Sequence, residues 1–337
     1  MYSLLRPCLF RLDPERAHDL VIRVLRRSYA NPLLRSLVFP RHTVYAPRQI
    51  MGLTFANGIG LAAGADKNGE AIDAFGALGF GFVEVGTVTP VAQDGNPKPR
   101  QFRLIEQQGV INRNGFNNFG VDYLVENLKK RQYQGIVGVN IGKNAHTPVE
   151  KSADDYLHCL RKVYAYADYV TINISSPNTA QLRTLQYGEA LDDLLRQLKS
   201  CQQQLQQQQQ RYVPLVLKIA PDLNEAELIE IADALLRHQM DGVIATNTTL
   251  DRQMVADSPY VVQAGGLSGK PLAQRSTQII QRLQQELQQK IPIIGAGGVH
   301  SVQSAQQKIQ AGAKILQIYT ALIYQGPRLI QQLARAL

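Results

Sequence analysis

Side chains that could bind or transform a small ligand fall at the ends of short apolar runs along the chain. The run at 169–175 leads into Ser176, Asn178 and Thr179, which offer hydroxyls and an amide. Hydroxyls and amides recur at the ends of the other runs, where carboxylates are rare and histidine is missing. This set argues against a paired-carboxylate glycosidase site and against a metal site built from His and acidic residues. It favours a ligand with many hydrogen-bonding heteroatoms and some negative charge.

Asparagines are the most numerous of these side chains. Six of them lie near run ends or in one loop: Asn112, Asn117, Asn140, Asn173, Asn178 and Asn247. An amide offers both donors and an acceptor, so the group suits a small planar ligand with alternating donors and acceptors.

Two lysines, Lys67 and Lys218, stand in or beside apolar runs, where an unpaired cation is costly. Three interpretations remain open for each. The lysine could form a Schiff base, as in an aldolase. It could place a fixed cation beside an electron-rich cofactor ring. It could also form a structural ion pair with a nearby acid.

A glycine-rich turn, GAGG at 295–298, follows another apolar run and precedes a helical pattern that begins near Ser301. Backbone N–H groups at such a turn can hold a phosphate without a charged side chain. A tight turn with no ligand is the alternative. Residues 265–271 (GGLSGKP) are expected to form a second flexible segment rich in N–H groups.

The elements that must position these residues are short β-rich runs that alternate with helix-period segments. The runs are eight in number: 59–65, 82–89, 136–141, 169–175, 214–220, 242–248, 292–297 and 315–320. Buried runs that alternate with amphipathic helices predict parallel strands, and eight of them predict a (β/α)8 barrel. A doubly wound open sheet is the rival. In a barrel, the polar groups named above would meet at the carboxyl ends of the strands.

Residues 1–48 differ from the rest of the chain because they hold nine Arg, no Lys and three acidic residues. Six of the nine units of net positive charge therefore lie there, and three lie in the other 289 residues. Asp13-Pro14-Glu15 is typical of a helix start, and apolar residues then recur at helical spacing. Shorter apolar helices are expected before it and after Asn31-Pro32. This helical segment has more apolar surface than it can bury by itself.

The composition is that of a globular protein of 337 residues, 45% hydrophobic and 19% charged. No apolar run approaches the roughly 18 residues of a membrane span. Cys8, Cys159 and Cys201 lack metal or redox spacing, and the N-terminus lacks a signal-peptide pattern. We therefore expect free thiols, no metal and a cytoplasmic location. The Gln-rich stretch 202–210 is expected to be a solvated helix end or loop of no assigned function.

Taken together, these motifs resemble the dihydroorotate dehydrogenase family over essentially the whole chain. The segments that carry the resemblance are GLAAGADKNGE (60–70), EVGTVTP (84–90), INRNGFNN (111–118), NIGKN (140–144), NISSPNT (173–179), LRTLQYGEAL (182–191), VLKIAPDL (216–223), GVIATNTT (242–249), GGLSGKPL (265–272), GAGG (295–298) and LQIYTA (316–321). The resemblance implies an FMN enzyme on a (β/α)8 barrel that oxidises (S)-dihydroorotate to orotate in pyrimidine biosynthesis. A dihydrouridine synthase should add a catalytic Cys and an RNA-binding domain, and neither is seen. A Schiff-base aldolase that uses Lys218 and a basic nucleic-acid-binding module are the rivals from other classes.

Two features resemble the membrane-associated, quinone-linked class of this family. The NISSPNT loop carries Ser where the soluble class has Cys, and residues 1–48 resemble the helical extension of the quinone-linked class. The implied domains are 1–48, a membrane-associating and quinone-channel extension, and 49–337, a barrel that binds FMN and dihydroorotate. The implied partners are dihydroorotate and orotate, a membrane quinone and an anionic lipid surface, without nucleic acid. We expect a peripheral monomer on the cytoplasmic side of the inner membrane.

The resemblance also assigns roles to residues. Ser176 is the base that takes a proton from C5 of dihydroorotate while hydride leaves C6, and Thr179 and Phe116 supply and wall a proton relay. The residues implied for FMN are Ala63, Gly64, Ala65, Asp66, Lys67, Thr87, Asn140, Asn173, Lys218, Thr246, Gly269, Gly298, Tyr319 and Thr320. The residues implied for the substrate are Lys67, Asn112, Arg113, Asn114, Gly115, Phe116, Asn173, Asn178, Asn247 and Thr248. The residues implied for the quinone route are His18, Arg103 and Tyr319.

Overall fold

The computed structural model describes residues 2–337, and eight of its strands close into a parallel barrel. The strands are β1 (Arg48–Ile50), β2 (Leu53–Phe55), β3 (Ile59–Leu61), β4 (Phe82–Val88), β5 (Gln101–Leu104), β6 (Gly109–Asn112), β7 (Ile136–Ile141), β8 (Tyr169–Asn173), β9 (Leu215–Ile219), β10 (Gly242–Ala245), β11 (Gly266–Gly269), β12 (Ile293–Ala296) and β13 (Ala313–Ile318). The barrel order is β3-β4-β7-β8-β9-β10-β12-β13, and β13 pairs with β3. The eight predicted strands and the (β/α)8 barrel are confirmed, and the open sheet is excluded.

Helices separate successive barrel strands, as parallel pairing requires. The helices are α1 (Tyr2–Arg11), α2 (Pro14–Ala30), α3 (Pro32–Val38), α4 (Ile72–Ala77), α5 (Val121–Lys130), α6 (Ser152–Val163), α7 (Gly188–Gln209), α8 (Glu225–Arg237), α9 (Ala273–Leu287), α10 (Val302–Gln310), α11 (Thr320–Gln325) and α12 (Arg328–Ala336). The Gln-rich stretch forms the last turns of α7, so it is a helix end as expected. Gln202 at its start is nevertheless buried and donates a hydrogen bond to the Val213 carbonyl (2.8 Å).

A plug of apolar residues closes the amino-terminal end of the barrel. Phe55 of β2 meets Phe82 of β4 edge to face, with ring centroids 5.0 Å apart, and both rings are fully buried. Ile50 and Leu53 of the same β1–β2 hairpin pack against this cluster. The carboxyl end of the barrel is therefore the end available for a ligand.

A second sheet, β5-β6-β11, lies in connections that leave the carboxyl ends of barrel strands β4 and β10. Its strands are antiparallel, and Asn112 of β6 pairs with Gln101 on one side and Gly266 on the other. The expectation that residues 265–271 form a flexible segment is therefore wrong for Gly266–Gly269. Its backbone groups are ordered by pairing with a strand more than 150 positions away in the chain.

The N-terminal helices form as predicted. The Asp13 carboxylate caps α2 by accepting hydrogen bonds from the N–H groups of Glu15 and Arg16 (both 3.0 Å). Asn31 ends α2 and caps α3. The excess of apolar surface is also confirmed, because leucines along α1 and α3 stay largely exposed. No helix within residues 2–337 is both long enough and apolar enough to span a bilayer.

A buried ion pair joins α2 to the segment before β5. The Arg100 guanidinium donates to both carboxylate oxygens of Glu15, with a shortest distance of 2.6 Å, and both side chains are almost completely buried. Burial raises the pKa of Glu15, but the hydrogen bonds and charges of Arg100 and Lys98 outweigh this effect and hold it below its usual value. The helical segment is thus attached to the barrel by a specific contact in addition to apolar packing.

Candidate active site

One cavity of about 1800 Å³ extends from the N-terminal helices to the carboxyl ends of the barrel strands. Its outer part is lined by apolar side chains of α1, α2 and α3, including Leu9, Val21 and Leu37. Its inner part is lined by the hydroxyls, amides and lysines that the sequence singled out. The predicted site residues that line it are His18, Ala63, Gly64, Ala65, Lys67, Thr87, Arg103, Asn112, Asn114, Gly115, Phe116, Asn173, Ser176, Asn178, Lys218, Thr246, Asn247, Thr248, Gly269, Gly298, Tyr319 and Thr320.

Four residues with a predicted role do not line the cavity: Asp66, Arg113, Asn140 and Thr179. The Asp66 carboxylate accepts hydrogen bonds from the N–H groups of Glu70 and Ala71 (2.9 and 2.7 Å), so it orders the loop after β3. Burial raises the pKa of Asp66 to about 6, although these two hydrogen bonds oppose the shift.

Arg113 and Asn140 also lie outside the cavity lining. The Arg113 guanidinium donates to the Gln263 side chain (2.8 Å) and the Pro99 carbonyl (2.8 Å) and stacks over the Phe102 ring. Asn140 lies one layer behind the cavity wall, in a polar network inside the barrel. Any role of these two residues toward a ligand would therefore be indirect.

The polar network inside the barrel is anchored by Glu84, a fully buried carboxylate of β4. Glu84 accepts hydrogen bonds from Asn140 (2.8 Å) and Gln317 (2.7 Å). It also accepts from the hydroxyls of Tyr169 (2.8 Å) and Thr171 (3.1 Å). Because a carboxylate can only accept, it turns the amide NH2 of Asn140 toward itself and the amide oxygen toward the cavity.

The orientation of Asn140 is transmitted to residues of the cavity wall. Its amide oxygen accepts hydrogen bonds from the Thr87 hydroxyl (2.5 Å) and from Asn173 Nδ2 (3.1 Å). The Asn173 oxygen in turn accepts from the Ser175 hydroxyl (3.1 Å), which itself accepts from Asn247 Nδ2 (3.0 Å). The amides of Asn173 and Asn247 are therefore fixed before a ligand arrives.

Two ammonium groups face the cavity without a partner. Neither Lys67 nor Lys218 makes a hydrogen bond or ion pair with another residue of the described chain. Burial lowers the pKa of Lys218, and the charge of Glu84 opposes that shift. Burial likewise lowers the pKa of Lys67, opposed mainly by Glu15 and Asp19. The structural ion pair considered for these lysines is absent, and both are available to a ligand with negative charge.

The loop after β8 brings Ser176 to the cavity wall, where it is 6% exposed. Its Oγ accepts a hydrogen bond from the N–H of Asn178 (3.2 Å), and the Asn178 side chain donates to the Asn112 carbonyl (3.1 Å). The Thr179 hydroxyl is buried and has no hydrogen-bond partner among residues 2–337. A buried hydroxyl in this state costs about 1–3 kcal/mol, so the site favours a water or ligand beside Thr179.

Arg183, in the quoted LRTLQYGEAL motif but without a predicted role, holds this loop in place. Its guanidinium donates to the carbonyls of Ser175 (3.1 Å) and Thr248 (3.1 Å) and pairs with Asp222 (2.8 Å). It thereby ties the Ser176 loop to the connection after β10.

The glycine-rich turn after β12 forms the far end of the inner cavity. Gly298 has a φ of 74°, and a Cβ at this position would lie 2.2 Å from the Cα of Ala273, so only glycine fits. The Gly298 N–H has no hydrogen-bond partner within residues 2–337. Tyr319 and Thr320 lie nearby, and Thr320 donates its hydroxyl to Ser268 (2.9 Å). A free N–H at a glycine turn suits an anionic oxygen such as that of a phosphate.

The residues predicted for the quinone route line the same cavity as most of those predicted for FMN. Arg103 donates to the carbonyls of Leu9 (3.3 Å) and Leu12 (2.5 Å), which holds the end of α1 against β5. Burial, followed by the charge of Lys67, lowers the pKa of His18 to about 3, so the imidazole is neutral. Burial raises the pKa of Tyr319 to about 12.

The carboxyl ends of the strands of this (β/α)8 barrel surround one deep cavity. The cavity contains unpaired lysines, ordered amides and a glycine turn. These features define the protein as a (β/α)8-barrel enzyme. The sequence pattern of dihydroorotate dehydrogenase matches residues 45–337. The chain belongs to the dihydroorotate dehydrogenase family of oxidoreductases.

Curated relatives match the chain over its whole length. The protein named dihydroorotate dehydrogenase (quinone) of Actinobacillus pleuropneumoniae serotype 5b is 63% identical over 335 residues, which cover 99% of this chain and 98% of the relative. The protein of the same name from Pasteurella multocida is 62% identical over 338 residues, 99% of each chain. A crystal structure of a DHODH from Eimeria tenella in complex with ferulenol has a TM-score of 0.88 and 37% identity, and covers 96% of this chain and 90% of that one.

Proposed function

We propose that this protein is a quinone-dependent dihydroorotate dehydrogenase that oxidises (S)-dihydroorotate to orotate, a step of pyrimidine biosynthesis, with bound FMN and a membrane quinone as successive acceptors. The observation that carries the proposal is the continuity of the cavity. One end is polar and cationic, as an anionic substrate requires, and the other is apolar, as a lipid-soluble oxidant requires. A single redox group between the two ends could be reached from both.

The inner cavity fits FMN. The free N–H of Gly298 suits its phosphate, together with Gly269, Tyr319 and Thr320. Lys218 offers an unpaired cation to the ring, beside Thr87, Asn173 and Thr246. Bound there, FMN would supply the hydride acceptor and the electron relay to a quinone.

Ser176 would accept the proton from C5 of the substrate. A serine hydroxyl is a weak base at its ordinary pKa, so it needs a group to which its own proton can pass. The Thr179 hydroxyl, three residues further on and without a partner in the described chain, is suited to hold a water for that purpose, and Phe116 of the cavity wall would help to exclude bulk solvent. Proton removal would then use groups that are already ordered in the protein.

Lys67 and the amides would hold the substrate. The unpaired ammonium group of Lys67 would pair with the carboxylate of the substrate. Asn112, Asn178 and Asn247, with Thr248, would meet the alternating donors and acceptors of its ring. Asn173 contributes through the order that Glu84 imposes on the network.

The helical segment would bind the membrane surface and admit the quinone. Its exposed leucines and six excess positive charges suit an interfacial position on anionic lipid. This arrangement fits a peripheral protein on the cytoplasmic side of the inner membrane, acting as a monomer. His18, Arg103 and Tyr319 would border the quinone route.

Flavin analysis combined with a product assay tests this function. The protein as purified should be yellow, release FMN on denaturation, and form more than one orotate per flavin from dihydroorotate only when a quinone analogue is present. A colourless protein, or release of a cofactor other than a flavin, would overturn the proposal. Formation of a borohydride-trapped adduct on Lys218 would favour the aldolase alternative instead.

A further inference from the structure

A lysine outside the cavity is buried without a carboxylate partner. Lys308 of α10 has no exposed surface, and its ammonium group donates to the Ser276 hydroxyl (2.9 Å), the Thr277 hydroxyl (3.1 Å) and the Ala273 carbonyl (3.3 Å). No acidic side chain lies within ion-pair distance in the described chain. Burial lowers its pKa to about 7. The fold thus retains a cation at a place where its charged form is costly.

The position of Lys308 is directly behind the glycine turn. Ser276, which accepts from Lys308, donates its own hydroxyl to the carbonyl of Ala296 (2.5 Å), the last residue of β12 and part of the GAGG motif. Ala273, whose carbonyl accepts from Lys308, is the residue against which Gly298 packs. One layer of residues therefore separates the ammonium group from the turn.

A purely structural role explains these contacts poorly. The Ser276 and Thr277 hydroxyls already have acceptors in Ala296 and Ala273, so an apolar side chain at 308 could join α9 to α10 without a buried charge. A buried cation becomes favourable when an anion lies nearby in the same low-dielectric surroundings. The free N–H of Gly298 marks where such an anion would lie.

We propose that Lys308 is a positioning residue for the cofactor phosphate, which stabilises the anion at the Gly298 turn through its charge and through Ser276 without touching it. This inference rests on the proposed binding of FMN. It predicts that Lys308 contributes to the binding of the phosphate and not to that of the flavin ring.

Riboflavin lacks the phosphate and so separates these two contributions. The full-length protein and its Lys308→Met and Lys308→Gln variants would be freed of flavin and titrated with FMN and with riboflavin, and binding would be followed by flavin fluorescence. In both variants the Kd for FMN should rise about tenfold or more, and that for riboflavin should change less than twofold. The control Lys314→Met removes an exposed charge of β13 and should change neither Kd.

Equal weakening of FMN and riboflavin binding, or no change in either, would overturn the role of Lys308. Failure of both variants to fold would also overturn it, because Lys308 would then be required for the fold. Failure of the unmodified protein to bind FMN would instead contradict the proposed function, so the two outcomes are distinguishable.

Discussion

Ser176 can act as a base only if its surroundings compensate for the weak basicity of a hydroxyl. In the structure its Oγ accepts one hydrogen bond, from the backbone N–H of Asn178. No side chain of the described chain forms a hydrogen bond with it. The nearby Thr179 hydroxyl lacks any partner among the described residues. The two hydroxyls and a water between them would form a route for the proton away from the substrate.

Removal of these hydroxyls should slow flavin reduction without loss of flavin. We expect Ser176→Ala to lower the rate of flavin reduction by dihydroorotate about 10²-fold or more, and Thr179→Val by about tenfold, because the base and then its relay are lost. Stopped-flow absorbance under anaerobic conditions measures this rate. Thr184→Val, which removes an exposed hydroxyl of the same segment, is the control and should have no effect. Ser176→Ala kinetics equal to those of the unmodified protein would exclude Ser176 as the base.

Some residues of the site can be predicted from the sequence because a charged side chain stands within an apolar run. Lys218 stands out in LVLKI for this reason, and the structure places it unpaired in the cavity. Glu84 gives the same signal in FVEVGTV, but the sequence does not show that it orders Asn140 and, through it, Asn173. Its hydrogen-bond partners lie on three other strands and cannot be inferred from the sequence of one strand.

At the scale of elements, attachment of α2 to the barrel depends on the Glu15–Arg100 pair. Removing one partner of a buried pair leaves the other charge uncompensated. We therefore expect Glu15→Gln to lower the free energy of unfolding by about 3 kcal/mol, as measured by denaturant titration. Glu126→Gln, which breaks an exposed pair with Lys129, should leave it almost unchanged. Equal effects of the two substitutions would contradict a specific role for the buried pair.

The same pair predicts how the helical segment responds to acid. The folded-state pKa of Glu15 lies below its value in the unfolded chain, so the native state binds fewer protons. The contribution of Glu15 to the free energy of unfolding is therefore complete above its pKa in the unfolded chain, about 4.3. This contribution is lost as the pH falls through the pKa of Glu15 in the folded protein. The protection of the α2 amides against hydrogen exchange, relative to their intrinsic exchange rates, should fall over that acidic range in the unmodified protein. In the Glu15→Gln variant, this protection should be low already at neutral pH and should change little as the pH falls.

The barrel strands could be predicted because each is an apolar run between helical segments. Strands of a parallel barrel are buried on both faces, so all eight have the same near-continuous apolar pattern. The β5-β6-β11 sheet could not be predicted. Its strands have four residues each, and β11 reads as a flexible glycine segment because its partner lies more than 150 positions away. The sequence shows that Gly266 and Gly269 lack side chains, and only the fold shows that their backbones are paired.

For the molecule as a whole, charge and exposed apolar surface coincide in the N-terminal helices. Residues 1–48 carry a net +6, and Leu4 and Leu33 are 80% and 78% exposed. The remaining chain carries only +3, which disfavours the nucleic-acid alternative. The cavity begins between these helices, so a membrane beneath them would place its apolar mouth against the lipid.

Substitution of these leucines should weaken membrane binding alone. We expect Leu4→Gln combined with Leu33→Gln to lower binding to vesicles of anionic lipid several-fold, because less apolar surface can enter the interface. Val91→Gln combined with Val262→Gln, which changes exposed apolar residues outside the N-terminal helices, is the control and should bind normally. Co-sedimentation measures both, with flavin reduction by dihydroorotate as a check that the fold is intact. Equal binding of the two double variants would contradict docking through the helices.

The central claim is that a redox group inside one cavity serves a polar substrate at one end and a lipid-soluble oxidant at the other. The most direct measurement is anaerobic double mixing of the purified protein, first with dihydroorotate and then with a quinone analogue, while flavin absorbance is recorded. The account predicts bleaching in the first step with formation of one orotate per flavin, and recovery of the absorbance in the second. Bleaching without recovery by the quinone analogue, or no bleaching at all, would contradict it.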